Sequence, residues 1–310
     1  MAINLSTAYT RILDQVFKTG ALTGNWAPAE GLVQGFEEKF GSATVKVANL
    51  TMDGFGDYDR ASGYPTGGVD LKWESHTITN DRAIEHVVDH VDNIESLQLS
   101  VANLAGEFSR IHAQPEVDAI RFAAAADKAG ETEETTITDS NVLNEMQRGE
   151  EAFLDNSVPM VQSVWYITPF VRRMLQAAGG ITLNRDVDNS NLNGWTGLES
   201  LNGFPIVVVP QSRFYDAITL NDGATTYGYA KGGSAVDLNM MLVHLPAVNG
   251  IMRHASTRVF SPNAALAGQV EGVEGVNPDM EAWKFQTRMY HDLIVPANKV
   301  NGIYVNKKTA

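Results

Sequence analysis

The 310-residue sequence has no cysteine. That excludes a disulfide scaffold and a thiolate metal site, and it fits a reducing compartment. No apolar run approaches the roughly eighteen residues of a membrane span, so no membrane partner is expected. The opening MAINLSTAYTRILDQVFKTG has neither an early basic cluster nor an apolar stretch, so no secretory signal is read there. Basic charge is scarce: 23 Lys and Arg stand against 37 Asp and Glu, for a net charge of −14. Proteins grip DNA by replacing its counterions with Lys and Arg. A chain this acidic is a poor candidate for tight, sequence-specific binding, though it can lie close to nucleic acid.

Catalytic signatures are missing too. GATTYGYAKGGS lacks the P-loop spacing, and there is no G-x-G-x-x-G after a strand and no G-x-S-x-G elbow. The seven histidines are scattered. No enzyme activity, cofactor or metal is expected. Two motifs come near a metal site and miss. In EHVVDHVDN, His86 and His90 would share one face of a helix, but a zincin needs Glu directly after the first His, where Val87 stands. The other reading of these letters is a strand end with solvent-facing histidines. In NSNLNGWTGLES, Asn189, Asn191, Asn193 and Gly194 imitate a calcium loop, but position twelve is Ser200, and Glu199 comes one residue early. A polar Asx-rich turn explains the same letters.

What the chain does have is 44% hydrophobic residues, enough for a substantial core. Tyr9, Ile12, Leu13, Val16 and Phe17 predict an amphipathic helix over 3–18. A loop with Gly24, Pro28, Gly31 and Gly35 follows. Two strand-like runs come next, with Val45, Val47, Leu50 and Met52 set against Val69, Leu71, Trp73 and Ile78. A two-stranded ribbon of this kind is hardly stable alone in water, so it needs a surface from elsewhere. Between its strands lie fifteen glycine-rich polar residues, GFGDYDRASGYPTGG at 54–68. Connections of that length are usually functional or disordered.

A helix is expected over 94–110, and a fresh one starting at Pro115 and ending at Gly130. The acidic ETEETTITDS reads as a surface linker. Helices are expected over 140–154 and from Pro169, with buried strands in SVPMVQSVWYITP, GFPIVVVPQSRF and AVDLNMMLVHLPAV. GQVEGVEGVNPDM reads as an exposed acidic loop, and WKFQTRMYHDLIVPANKVNGIYV supplies two last strands. With no regular βαβ alternation, the expected class is α+β.

HVVDHVDNIES, QPEVDAIRFAAAADKAG, SLNGFPIVVVPQSRF and FQTRMYHDLIVPANKVNGIYV occur in this order along the chain. With the long hairpin, they make the chain resemble the major capsid proteins of tailed bacteriophages, which have the Hong Kong 97-type fold. That resemblance implies an N-terminal arm at 1–42 and an extended loop at 43–80. It implies a peripheral domain with a spine helix at 81–138 and 246–296, and an axial domain at 139–245 and 297–310. It implies a shell subunit of the virion, assembled in the host bacterial cytoplasm into hexamers and pentamers around packaged double-stranded DNA. Its partners would be other copies of itself, a portal protein and a decoration protein. A separate scaffolding protein is expected, because 42 residues ahead of the hairpin are too few for a fused one. An encapsulin-type compartment sharing the fold is the alternative, and a soluble calcium-binding protein or enzyme the second. At the hairpin tip, Asp57, Tyr58, Asp59, Arg60 and Tyr64 are the candidate inter-subunit contacts. The tip has no lysine, and Lys46 and Lys72 lie in the strands, so no covalent lysine–asparagine cross-link between subunits is expected.

Overall fold

In the computed structural model the structure describes residues 20–27, 44–61, 63–90, 104, 106–178, 184–187, 198–262, 273–276 and 281–309. The expected helix at 3–18, most of the helix at 94–110 and the Asn-rich segment at 189–197 lie outside them.

An antiparallel ribbon, β1 (Thr44–Met52) and β2 (Val69–Thr77), leads into β3 (Asn80–Asp89). A π-helical turn, Ser109–Ala113, runs directly into α1 (Gln114–Asp127). The fresh helix start expected at Pro115 is not found: Phe108 and Ala113 both have helical dihedrals, so the helix is continuous. Proline lacks the N–H that an α-helical ladder needs, and the wider π turn lies immediately ahead of it. Gly130 ends this stretch, donating its N–H to Val300 and Ile303.

The next elements are β4 (Glu131–Glu134), α2 (Val142–Asp155), β5 (Ser163–Ile167), α3 (Pro169–Ala177), β6 (Asn184–Val187), β7 (Leu198–Leu201) and β8 (Phe204–Val208). Thr168 caps α3 by accepting from the Val171 N–H, with Pro169 at the first turn. A small hairpin, β9 (Ile218–Leu220) and β10 (Tyr229–Lys231), precedes β11 (Leu238–His244), β12 (Asn249–Ser261), β13 (Val273–Val276), β14 (Ala282–Ile294) and β15 (Ile303–Lys307).

Seven strands form one sheet in the order β4-β15-β11-β5-β8-β7-β6. Both faces of its centre are covered, which is why β5, β8 and β11 read as nearly continuous apolar runs. Val164, Tyr166, Met241, Val243, Ile303 and Val305 face α1 through Phe122, Ala125 and Ala126. Trp165, Ile167, Met240, Leu242 and Tyr304 face α2 and α3 through Met146, Phe153, Val171 and Leu175. Gly149 lets α2 lie flat here: a Cβ would sit 2.7 Å from Trp165 and 2.8 Å from Tyr304. Four further strands form a second sheet, β13-β12-β14-β3.

Two expected loops are corrected. Glu131–Glu134 is not a linker but the edge strand of the larger sheet, parallel to β15. Val273–Val276, within the expected acidic loop, is a strand parallel to β12. In both, backbone pairing supplies what the side chains do not signal.

Candidate assembly surface

Residues 20–27 are a plug in the core, where the sequence suggested only a loop. Trp26 is fully buried against Phe122 and Tyr166, and its Nε1 donates to the Tyr166 hydroxyl at 2.8 Å. Asp118 of α1 accepts from the N–H groups of Leu22 and Thr23 and the Thr23 hydroxyl, at 2.7–3.0 Å, and from the Arg213 guanidinium at 2.9 Å. Gly250 donates its N–H to the Trp26 carbonyl at 2.7 Å. These contacts join α1, the larger sheet and β12 into one frame.

The ribbon is rooted on that frame. Val45, Val47 and Ile78 pack against Ile251 and Ile294. Ala297 donates its N–H to Glu74, Tyr290 donates to the Ile78 carbonyl, and Thr79 donates twice to Asp292. The residues that root the ribbon on β1 are odd-numbered. Beyond Val47 the apolar positions change phase to Ala48, Leu50 and Met52. In the ribbon register these pair with Trp73, Leu71 and Val69. Directly paired residues share a face, and alternate residues point opposite ways. Three successive apolar pairs therefore occupy the face turned away from the subunit. Leu50 is 53% exposed, Leu71 54% and Trp73 61%. The other face at this level carries Asn49, Thr51, Asp70 and Lys72, with a Lys72–Asp70 ion pair.

The tip is a built turn rather than an open loop. Asp59 and Gly63 exchange backbone hydrogen bonds, and Gly63 has φ +82°, which glycine adopts without strain. Asp59 Oδ1 accepts from the Ala61 N–H at 3.0 Å. The Tyr58 and Tyr64 rings lie 5.1 Å apart, and Asp53 accepts from Gly68 at 2.7 Å, closing the neck. Asp57, Tyr58, Asp59, Arg60 and Tyr64 are all exposed, as is Phe55. The structure thus brings the five expected residues together at the tip. Sequence reasoning missed the ladder of Leu50, Leu71 and Trp73 as a site, although the change of phase between Val47 and Leu50 was its signal.

The histidine pair lies elsewhere. His86 is on β3, with its ring 5.2 Å from Phe108 at the π turn, and His90 directly follows the strand. Four residues along a strand span about 13 Å, too far for the shared metal that the helical reading would need. On the smaller sheet, one face is strongly charged. Arg288 grips Asp81 with two bonds and holds its carboxyl below the usual range, and Gln286 and Lys284 do the same for Glu85.

No protein-family profile matches the sequence, and no curated protein does. Solved structures do match over nearly the whole chain. A chain of the mature capsid of bacteriophage PhiM1 superposes with a TM-score of 0.65 at 12% identity, covering 99% of this chain and 92% of that one. A chain of the capsid of cyanophage P-SCSP1u gives 0.61 at 14% identity, with 99% and 93% covered. A chain from Mycobacterium phage Che8 gives 0.65 at 13% identity, with 98% of each covered. This is the phage capsid fold. The mixed α+β class expected from the sequence is the one found, and among the described residues the ribbon carries an exposed apolar face.

Proposed function

We propose that this chain is the major capsid protein of a tailed bacteriophage, self-assembling into hexamers and pentamers of an icosahedral shell around packaged DNA. The observation that carries this is the apolar ladder Ala48–Trp73, Leu50–Leu71 and Met52–Val69, presented to solvent by a rooted ribbon in a chain with the capsid fold. Covering a side chain such as Leu or Val is worth about 1.5–3 kcal/mol. A ladder of this size repays docking on a second copy, and closure of a shell multiplies many such contacts. At the tip, Tyr58 and Tyr64 supply contact area, while Asp57, Asp59 and Arg60 supply polar partners across the same junction. The shell is non-covalent, because no lysine lies at the tip.

The two sheets support a division into a peripheral unit (81–138 and 246–296) and an axial unit (139–245 and 297–310), with the arm at 1–42 and the loop at 43–80. Among the described residues, Glu131–Glu134 is the one strand of the first range that pairs into the sheet of the second. Portal, separate scaffolding and decoration proteins complete the proposed partners. The proposed place of action is the virion, with assembly in the bacterial cytoplasm.

Negative-stain microscopy and light scattering on the purified chain, alone and with its scaffold, test the reading. Wild type is expected to give shells, tubes or capsomer rings, and Leu71→Asp only unassembled subunits. A wild-type chain that stays monomeric or dimeric at high concentration in both conditions would sink it.

A further inference from the structure

His291 sits on β14 next to Asp292, one of the residues that root the ribbon. It pairs in register with Met252 of β12 and with Asn80 of β3. Its neighbour Asp292 holds Thr79, the link between β2 and β3. The adjoining β12 residue Gly250 receives the plug at Trp26, and a Cβ there would lie 2.7 Å from the Arg121 guanidinium. His291 is 1% exposed, and its Nδ1 has no hydrogen-bond partner among the described residues. The charged groups around it are Arg121 from α1, Arg82 from β3 and Asp292 beside it on β14. Arg121 is itself faced by Asp118, and Arg82 is bound to Glu116 at 2.6 Å. The opposing Met252 of β12 and Trp26 of the plug bring no charge.

We propose that His291 is an acid-sensitive pin: neutral, it lets the plug and the ribbon root close on the two sheets, and protonated, it loosens them. An imidazolium here would be a buried charge near Arg121 and Arg82, which Asp118 and Glu116 already partner, and beside the carboxylate of Asp292. It would also carry an Nδ1–H with no acceptor among the described residues, on a side chain almost wholly buried. A buried donor left unmade and the burial of a charge both oppose the closed form. Burial, with Arg121 and Arg82 adding to it, pushes the His291 pKa down to about 4. The closed form therefore refuses a proton that the opened form accepts from about pH 6.5 downward. Stability is full above pH 6.5 and is lost as pH falls towards 4, with the closed-to-open ratio dropping up to about tenfold per pH unit from this group. The joint so weakened carries the ribbon and residues 20–27, not the centre of the larger sheet.

The test is independent of assembly. Hydrogen exchange of the full-length, unassembled chain is followed from pH 7 to pH 4.5 and corrected for intrinsic rates, in wild type, His291→Gln and His291→Leu. Protection at Leu22, Thr23 and Gly250 and in β3 is expected to fall with pH in wild type and to stay level in both variants, while β5 and β11 keep theirs. The same fall in the variants, or no fall in wild type, would overturn the proposal. Should neither variant fold, the imidazole resonance of His291 in wild type decides. Titration at the ordinary value near 6.5 counts against the pin, and none above about 5 supports it.

Discussion

Asp118 holds a negative charge where no water reaches. It spends every lone-pair direction on the plug and on Arg213, so its charge is matched within its own network. Breaking one half of such a pair leaves the other buried and unbalanced, which costs about 3–5 kcal/mol. Asp118→Ala is expected to lose about that much in urea unfolding of the unassembled chain. A loss under about 1 kcal/mol would mean that Arg213 finds another partner. Nothing near Leu22 or Thr23 announces this network in the sequence. Its members lie more than ninety residues apart, and local patterns report only on neighbours along the chain. Pro115 is a similar case: its type suggested a helix start, and only the π turn ahead of it shows how the helix runs through.

Individual elements differ in how plainly they can be read. β5, β8 and β11 are legible because both faces are buried, so most positions are apolar. β4 is not, because an edge strand of Glu and Thr contributes backbone bonds alone. β1 is the instructive case, since its single apolar string serves two masters. Val47 belongs to the subunit's own core and Leu50 to the outer face. Val47→Asp is expected to lower subunit stability by about 2–4 kcal/mol, since it buries an unpaired charge. Leu50→Asp is expected to leave it within about 0.5 kcal/mol, as exposed substitutions do, yet to abolish assembly. Thermal melts beside light scattering separate the two outcomes. Equal loss of stability in both variants would show that the ladder is covered by its own subunit.

The whole molecule carries a net charge of −14, so copies repel one another before their ladders meet. That repulsion is screened over about 10 Å at 0.1 M salt, while apolar contact is not weakened by it. Raising salt from about 0.05 M to about 0.5 M is therefore expected to lower the concentration at which scattering appears. Dissolution by salt would mark the junction as ionic and place its strength in Asp57, Asp59 and Arg60 instead. For the proposed shell, the same acidity suits contents that slide as they are loaded.

β15 lies between β4 and β11, with Val305 and Ile303 fully enclosed, yet it follows every other described strand along the chain. Until residues 303–307 have been made, the larger sheet has an open slot beside its β4 edge and two unsatisfied borders. A chain cut short of these residues cannot close that slot, so the core around Tyr166 and Met241 stays open. The position of one strand thus makes the fold wait for residues 303–307, and a truncated copy is left with an unfinished sheet.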